Sequence, residues 1–338
     1  EDGALVFLCS GDESLYKDMF LKFEDVFPKW FTKKDFNKIY RPRPNLPYAE
    51  YEFADWTRKK LWHTFSIDQM DLNRNKAITK RIMKSFIKKL ENINAKIIRL
   101  DAAWYIYKKR WTNCFYLPEV YETINWMWRL FKKWHNVKLL SEVHNTYKLQ
   151  IDISKKMEMV YDFALPPLVL YSIYFWSSYK LKRWLRMRPK NALTVLDTHD
   201  WIWIVDVAWI LSKNEVENLT FEMFKTGWRA AMMASGENSN NLDIYQVNST
   251  YYSVLDCDDN KYLISRAIQF FVPWIPQVYY VWLLAWENDM ELLTKTRIWR
   301  DVNRHNYSIS EIAEQLEREV VKKLFKLIKF RNKYPAFN

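Results

Sequence analysis

Apolar positions fall into short runs of strand length that alternate with stretches of helical period. Ile78, Ile82, Met83, Phe86, Ile87 and Leu90 share one helical face. The run that follows, 95–102 (AKIIRLDA), is nearly continuously apolar and predicts a strand. The order then repeats. A helical stretch over about 118–134 precedes 137–144 (VKLLSEVH), and further runs lie at 159–166 (MVYDFALP), 192–200 (ALTVLDTHD) and 275–281 (IPQVYYV), each after a stretch that reads as helix. Strands without polar alternation are buried on both faces, as in a parallel sheet covered by helices. The prediction is an α/β chain built on such a sheet, as in a (β/α)8 TIM barrel.

Two segments break the alternation. Residues 1–63 are aromatic and proline-bearing (YRPRPNLPY, 40–48) without clear period, and read as a rim segment. Residues 64–338 read as the catalytic barrel portion, with an irregular insert at about 205–260 before the last strand. No internal repeat or low-complexity tract is evident.

Candidate chemistry sits at the ends of three predicted strands: Asp101, Glu142 with His144, and His199 with Asp200. In a (β/α)8 barrel the C-terminal strand ends carry the catalytic groups. Two carboxylates on neighbouring strands suit a retaining glycosidic reaction, one as nucleophile and one as acid, about 5–5.5 Å apart. A third can stabilise an oxocarbenium-like transition state. Each alone is more often a helix cap or ion-pair partner; three together point to a site.

Charge changes this picture little. The net charge is +12, but the basic residues are dispersed, with local runs at 181–190 (LKRWLRMRPK) and 322–330 (KKLFKLIKF). In the second, Leu324, Phe325 and Ile328 follow Val321 at helical spacing, so its lysines form the wet face of a packed helix rather than a nucleic-acid surface. No apolar run reaches the roughly 18 residues of a membrane span, and the opening EDGALVFLCS has no basic leader. Cys9, Cys114 and Cys257 are widely spaced without metal-ligand pattern and read as reduced thiols of a cytoplasmic protein. His63, His135 and His305 stand alone, and DCDDN (256–260) lacks calcium-loop spacing, so no metal is expected.

The glycine count is anomalous. Average usage of about 7 % gives roughly 24 glycines in a chain this long; here there are 4, beside 18 tryptophans.

The segments IIRLDA, SEVH and LDTHD resemble signatures of the α-amylase superfamily, glycoside hydrolase family 13. The longer strings YDFALPPLVLY, NNLDIYQVNSTYYSVL, RAIQFF, IPQVYYV and RDVNRHNYS resemble the sucrose phosphorylases within it, over about 11–337. The resemblance implies a retaining double displacement converting sucrose and phosphate to α-glucose 1-phosphate and fructose, without metal or organic cofactor. It implies Asp101 as nucleophile with Arg99 holding its carboxylate, Glu142 as general acid and then base, and Asp200 as transition-state stabiliser. His199 would bind a glucose hydroxyl, Phe65, Gln69 and Tyr105 would line the sugar pocket, and His144 would contact substrate, though it reads equally as a satisfied packing histidine. Asp243, Tyr245 and Gln246 (LDIYQ) match a loop handling fructose and phosphate, and Arg300 an acceptor-site arginine. Tyr245 as core and Gln246 as a surface turn remain alternative readings.

The resemblance further implies that the chain holds barrel strands 4–8 with a remnant of the rim B domain (1–63). Strands 1–3 and a C-terminal β-domain are expected outside it, so the chain expressed alone should release no glucose 1-phosphate. Glu319 departs from a family proline. Rival readings are a phosphorylase of sucrose 6′-phosphate or glucosylglycerate, a basic aromatic-rich single-strand binder, or an inactive remnant. A homodimer is left open; neither nucleic acid nor membrane is an expected partner.

The same comparison bears on the glycines. THDWIW stands where the family has THDGIG, and Trp274, Trp282, Trp286 and Trp299, with Trp104, Trp111 and Trp56, also fall at family glycines. Trp62 and Trp184 fall at family tryptophans. Such selectivity is expected of a gene in which UGA encodes glycine and was read as tryptophan.

Overall fold

The computed structural model describes residues 9–10, 13–28, 30–41, 45–132, 137–200, 202–235 and 246–337. Its contacts divide the chain into two compact units, Glu1–Val143 and His144–Asn338.

In the first unit, β1 (Tyr48–Glu52) and β2 (Arg58–Trp62) form an antiparallel hairpin, Tyr48 opposite Trp62 and Glu52 opposite Arg58. Phe23, Phe27 and Trp62 pack beneath it with Val26, Ile39 and Cys114. The 16-residue helix Ala77–Asn92 leads into β3 (Ile97–Leu100), and the helix Pro118–Lys132 precedes β4 (Lys138–Ser141). β3 and β4 run parallel, Ile97 opposite Lys138 and Leu100 opposite Ser141. Leu139, Leu140 and Ser141 are all buried, which is why this segment carries no polar alternation.

In the second unit, β5 (Met159–Asp162) pairs parallel with β6 (Ala192–Thr194). Pro166 and Pro167 open the helix Leu165–Tyr174, where their missing N–H groups cost nothing. The helix Tyr179–Met187 buries Leu181 and Trp184 and turns Lys182, Arg183 and Arg186 outward, so the first basic run is a wet helix face. The helix Glu319–Lys333 behaves alike, burying Val320, Val321 and Leu324. One core joins these helices to the helix Asp259–Phe271 through Leu168, Trp184, Tyr251, Tyr262 and Trp282.

Two expectations differ from the structure. Segment 275–281 forms a single parallel bridge, Thr194 opposite Pro276, before a short helix at Tyr280–Leu283. Thr194 exchanges backbone bonds with Ile275 and Gln277, and the chain turns into helix at Tyr280 without a longer ladder. Within 205–260 the chain is largely regular: a 23-residue helix, Lys213–Ser235, lies between Ser212 and the short strand β8 (Gln246–Val247), which pairs antiparallel with β7 (Ile202–Trp203).

Thirteen described non-glycine residues have positive φ, and five are tryptophans: Trp56 (65°), Trp111 (64°), Trp176 (52°), Trp209 (73°) and Trp274 (101°). For an L-residue the left-handed region costs roughly 1–2 kcal/mol. Trp104, Trp203, Trp282 and Trp286 are not among them.

Candidate active site

Arg99 lies in β3, and Asp101 follows directly at its C-terminal end. Glu142 follows β4 in the same way, its N–H bonded to the Leu100 carbonyl at 3.3 Å. The parallel register thus sets the two acids side by side, and one guanidinium joins them. Arg99 Nη1 lies 2.6 Å from Asp101 Oδ1, and its Nη2 2.5 Å from Glu142 Oε1. The Ala102 N–H donates to the other Glu142 oxygen at 3.4 Å. The acids differ in setting: the Asp101 side chain is 70 % exposed and that of Glu142 only 10 %. An open carboxylate beside an enclosed one is the asymmetry that nucleophile and acid/base roles require.

Tyr105, in the 3-10 turn after Asp101, meets the Phe65 ring edge-on at 5.5 Å and the Phe115 ring at 4.7 Å. Gln69 is exposed, in a turn closed by its N–H on the Ser66 carbonyl. Beneath these rings sits a network that sequence reasoning missed. Lys108, its side chain 2 % exposed, donates to Asp71 (2.9 Å), Thr64 Oγ1 (2.6 Å) and the Tyr105 carbonyl (2.5 Å). Asp71 also accepts from the Thr64 N–H and hydroxyl. The signal available was weak: one lysine among many basic residues.

In the second unit, Asp200 Oδ2 lies 3.3 Å from His199 Nε2, and Arg304 Nη2 reaches Asp200 Oδ1 at 3.8 Å. Arg304 Nε donates to the His199 carbonyl, and Asn303 Nδ2 to those of Thr198 and Asp200, pinning the loop that carries both residues. Neither Arg304 nor Asn303 was anticipated. His144 is stacked between Phe163 (3.9 Å) and Trp203 (4.3 Å, 14° between planes), and its Nδ1 meets Asp206 Oδ2 at 3.0 Å. Asp197, which opens the acid-rich loop, pairs in the core with Arg266 at 2.8 Å.

Asp101, Glu142 and Arg99 are therefore brought together in one unit, and His199 with Asp200 in the other. Asp243, Tyr245 and Trp201 lie outside the described residues. Gln246 is opposite Trp203 in the β7–β8 ladder, and Arg300 lies in the 3-10 turn Trp299–Asn303; their side chains are likewise outside. No described helix is long and apolar enough to cross a membrane.

Acids at the ends of parallel strands are the arrangement expected of an α-amylase-type enzyme acting on glycosidic bonds. No protein-family model matches the chain. The sucrose phosphorylase of Bifidobacterium adolescentis is 42 % identical over 340 residues, covering 98 % of this chain and 67 % of the relative. The crystal structure of sucrose 6F-phosphate phosphorylase from Thermoanaerobacter thermosaccharolyticum superimposes with TM-score 0.91 at 36 % identity, over 99 % of this chain and 69 % of that one. An α-amylase from H. orenii shares the fold (TM-score 0.60, 15 % identity, 98 % and 60 % covered). The chain belongs to the sucrose phosphorylase family.

Proposed function

We propose that the protein transfers the glucosyl group of sucrose to phosphate, giving α-glucose 1-phosphate and fructose with retention. The Asp101 carboxylate attacks the anomeric carbon while Glu142, protonated, gives its proton to the departing fructosyl oxygen. A phosphate oxygen then attacks the glucosyl ester, Glu142 takes the phosphate proton, and Asp101 leaves as carboxylate. Asp200 supplies negative charge toward the oxocarbenium-like transition state. Arg99 orients both acids before sugar enters, Phe65, Gln69 and Tyr105 line the glucose pocket, and His199 binds a glucose hydroxyl. His144, Asp243, Tyr245, Gln246 and Arg300 serve the acceptor side, where a planar cationic fork suits phosphate.

The strands at 97–100, 138–141, 159–162 and 192–194 and the bridge at Pro276 take the fourth to eighth positions of a (β/α)8 barrel, with residues 1–63 as its rim segment and 64–338 as the catalytic portion. Plain sucrose is preferred over its 6′-phosphate and over glucosylglycerate, because LDIYQ matches the sucrose enzymes.

The observation that carries this reading is the single arginine that joins Asp101 to Glu142. The test is release of glucose 1-phosphate by the gene product offered phosphate with each of the three donors. Sucrose should be consumed fastest. Asp101→Asn should lower kcat by at least about a thousandfold, as loss of a nucleophile does. Near-normal turnover by that variant would remove Asp101 from the mechanism.

A further inference from the structure

We propose that Asp206 is the positioning residue for His144, fixing its tautomer so that Nε2 offers a lone pair to a sugar hydroxyl. This rests on the reading of His144 as an acceptor-side residue.

Asp206 lies in the 3-10 turn Val205–Val207 and has no exposed surface. Three bonds to its carboxylate come from the segment that begins at His144. Oδ2 meets His144 Nδ1 at 3.0 Å; Oδ1 accepts from the Asn145 N–H at 3.0 Å and from Gln150 Nε2 at 2.7 Å. A sealed carboxylate is costly unless such partners compensate it. With Nδ1–H committed to Asp206, the neutral imidazole has its acceptor at Nε2. Phe163 stacks on the ring at 3.9 Å and 28°, which restrains its plane. The His144 side chain keeps 13 % exposure, so an edge of the ring reaches solvent. Ring plane and proton position are both set, as binding a hydroxyl requires.

Long-range proton–nitrogen NMR of the protein should show His144 protonated on Nδ1, and Asp206→Asn should shift it toward the other tautomer. The same variant should raise the KM for sucrose about tenfold, the scale of one charge-assisted hydrogen bond, and should add nothing in a His144→Ala background. Gln150→Ala is the structural control: it lowers Tm and leaves KM unchanged. Nδ1 unprotonated in the native protein, or Asp206→Asn and His144→Ala effects that add, would overturn the proposal. A normal KM in His144→Ala would instead remove His144 from the acceptor side. If Asp206→Asn does not fold, the native tautomer decides.

A different observation carries a second inference. We infer that positions 56, 111, 176, 209 and 274 are glycine in the natural protein. Their tryptophans all have positive φ, where a residue without Cβ is at ease. Trp176 stands one residue past the cap of the helix ending at Tyr174, the position glycine favours after a helix. Trp56 is in the β1–β2 turn, and Trp111 in the turn closed by Thr112 N–H on the Lys109 carbonyl. Trp56, Trp111, Trp176 and Trp209 leave 82, 69, 92 and 78 % of their surface in water, while Trp274 has a buried Nε1 without a hydrogen-bond partner. By contrast Trp62 and Trp184 are buried with ordinary backbone, and the Trp184 indole donates to Asp162 at 2.9 Å. Trp176 and Trp209 enter here on backbone geometry alone. The codons test it: UGA at all five positions with UGG at 62 and 184 is expected, and peptide mass spectrometry from the native host should find glycine. UGG at the five, or tryptophan in those peptides, would end the inference.

Discussion

Within the loop 197–200, two aspartates three residues apart have opposite fates. Asp200 is partly open, whereas Asp197 is sealed against Arg266, whose guanidinium also faces Trp282 at 4.0 Å, Tyr262 at 4.8 Å and Tyr251 at 5.3 Å. Burial pushes the Asp197 carboxyl above its usual range, and Arg266 opposes the shift. Asp197 is a structural acid; the pair locks the loop that presents Asp200. Arg266→Met should therefore cost about 3–5 kcal/mol in urea unfolding, since it strands a buried acid. The double variant with Asp197→Asn should be closer to native stability than Arg266→Met alone. Equal or greater loss in the double variant would show that the pair is not the source.

Among elements, the start of the helix Lys213–Ser235 shows how side chains hold helices in place. Glu215 accepts from the Ser212 N–H at 2.7 Å, from Lys180 Nζ at 2.9 Å and from Tyr171 Oη at 3.0 Å, tying this helix to Tyr179–Met187 and Leu165–Tyr174. Burial, the largest influence, would raise the Glu215 pKa, but the Ser212, Lys180 and Tyr171 bonds together outweigh it and hold the carboxyl at about 2 against an ordinary 4.5. A depressed folded pKa stabilises above the unfolded pKa and is lost as pH falls through the folded one. Glu215→Gln should thus cost roughly 1–2 kcal/mol at pH 7, solvent screening included, and little near pH 2. Thermal melts at both pH values check it; an equal loss at each would point to packing instead.

Across the whole molecule, the strands at 138–141, 159–162 and 192–194 were legible because burial on both faces writes itself as an apolar run, and the strand at 97–100 was legible from its apolar run although Ile97 is exposed. The last predicted strand was not: its apolar run makes one bridge to Thr194 and then turns into helix at Tyr280. Strand-end acids were legible from their place after those runs, and the roles proposed for single residues rest on family resemblance. The partners that hold them were not. Asp206 finds His144 across a long stretch of chain, and Lys108 meets Thr64 and Asp71 likewise, so no local spacing announces either. Tryptophans at positive φ were legible in kind but not in full: resemblance marked 56, 111 and 274, and the backbone added 176 and 209.

The parallel register of β3 on β4 also has a kinetic side. Ile97 must find Lys138 before Arg99 can link the two acids, with a whole helix threaded between them. Loop-closure entropy is lost before that non-local pairing returns any contact energy, which makes such topologies slow to form and exposed to aggregation meanwhile. In refolding from denaturant, helical signal should return well before turnover, because the chemistry waits on the slowest pair of strands.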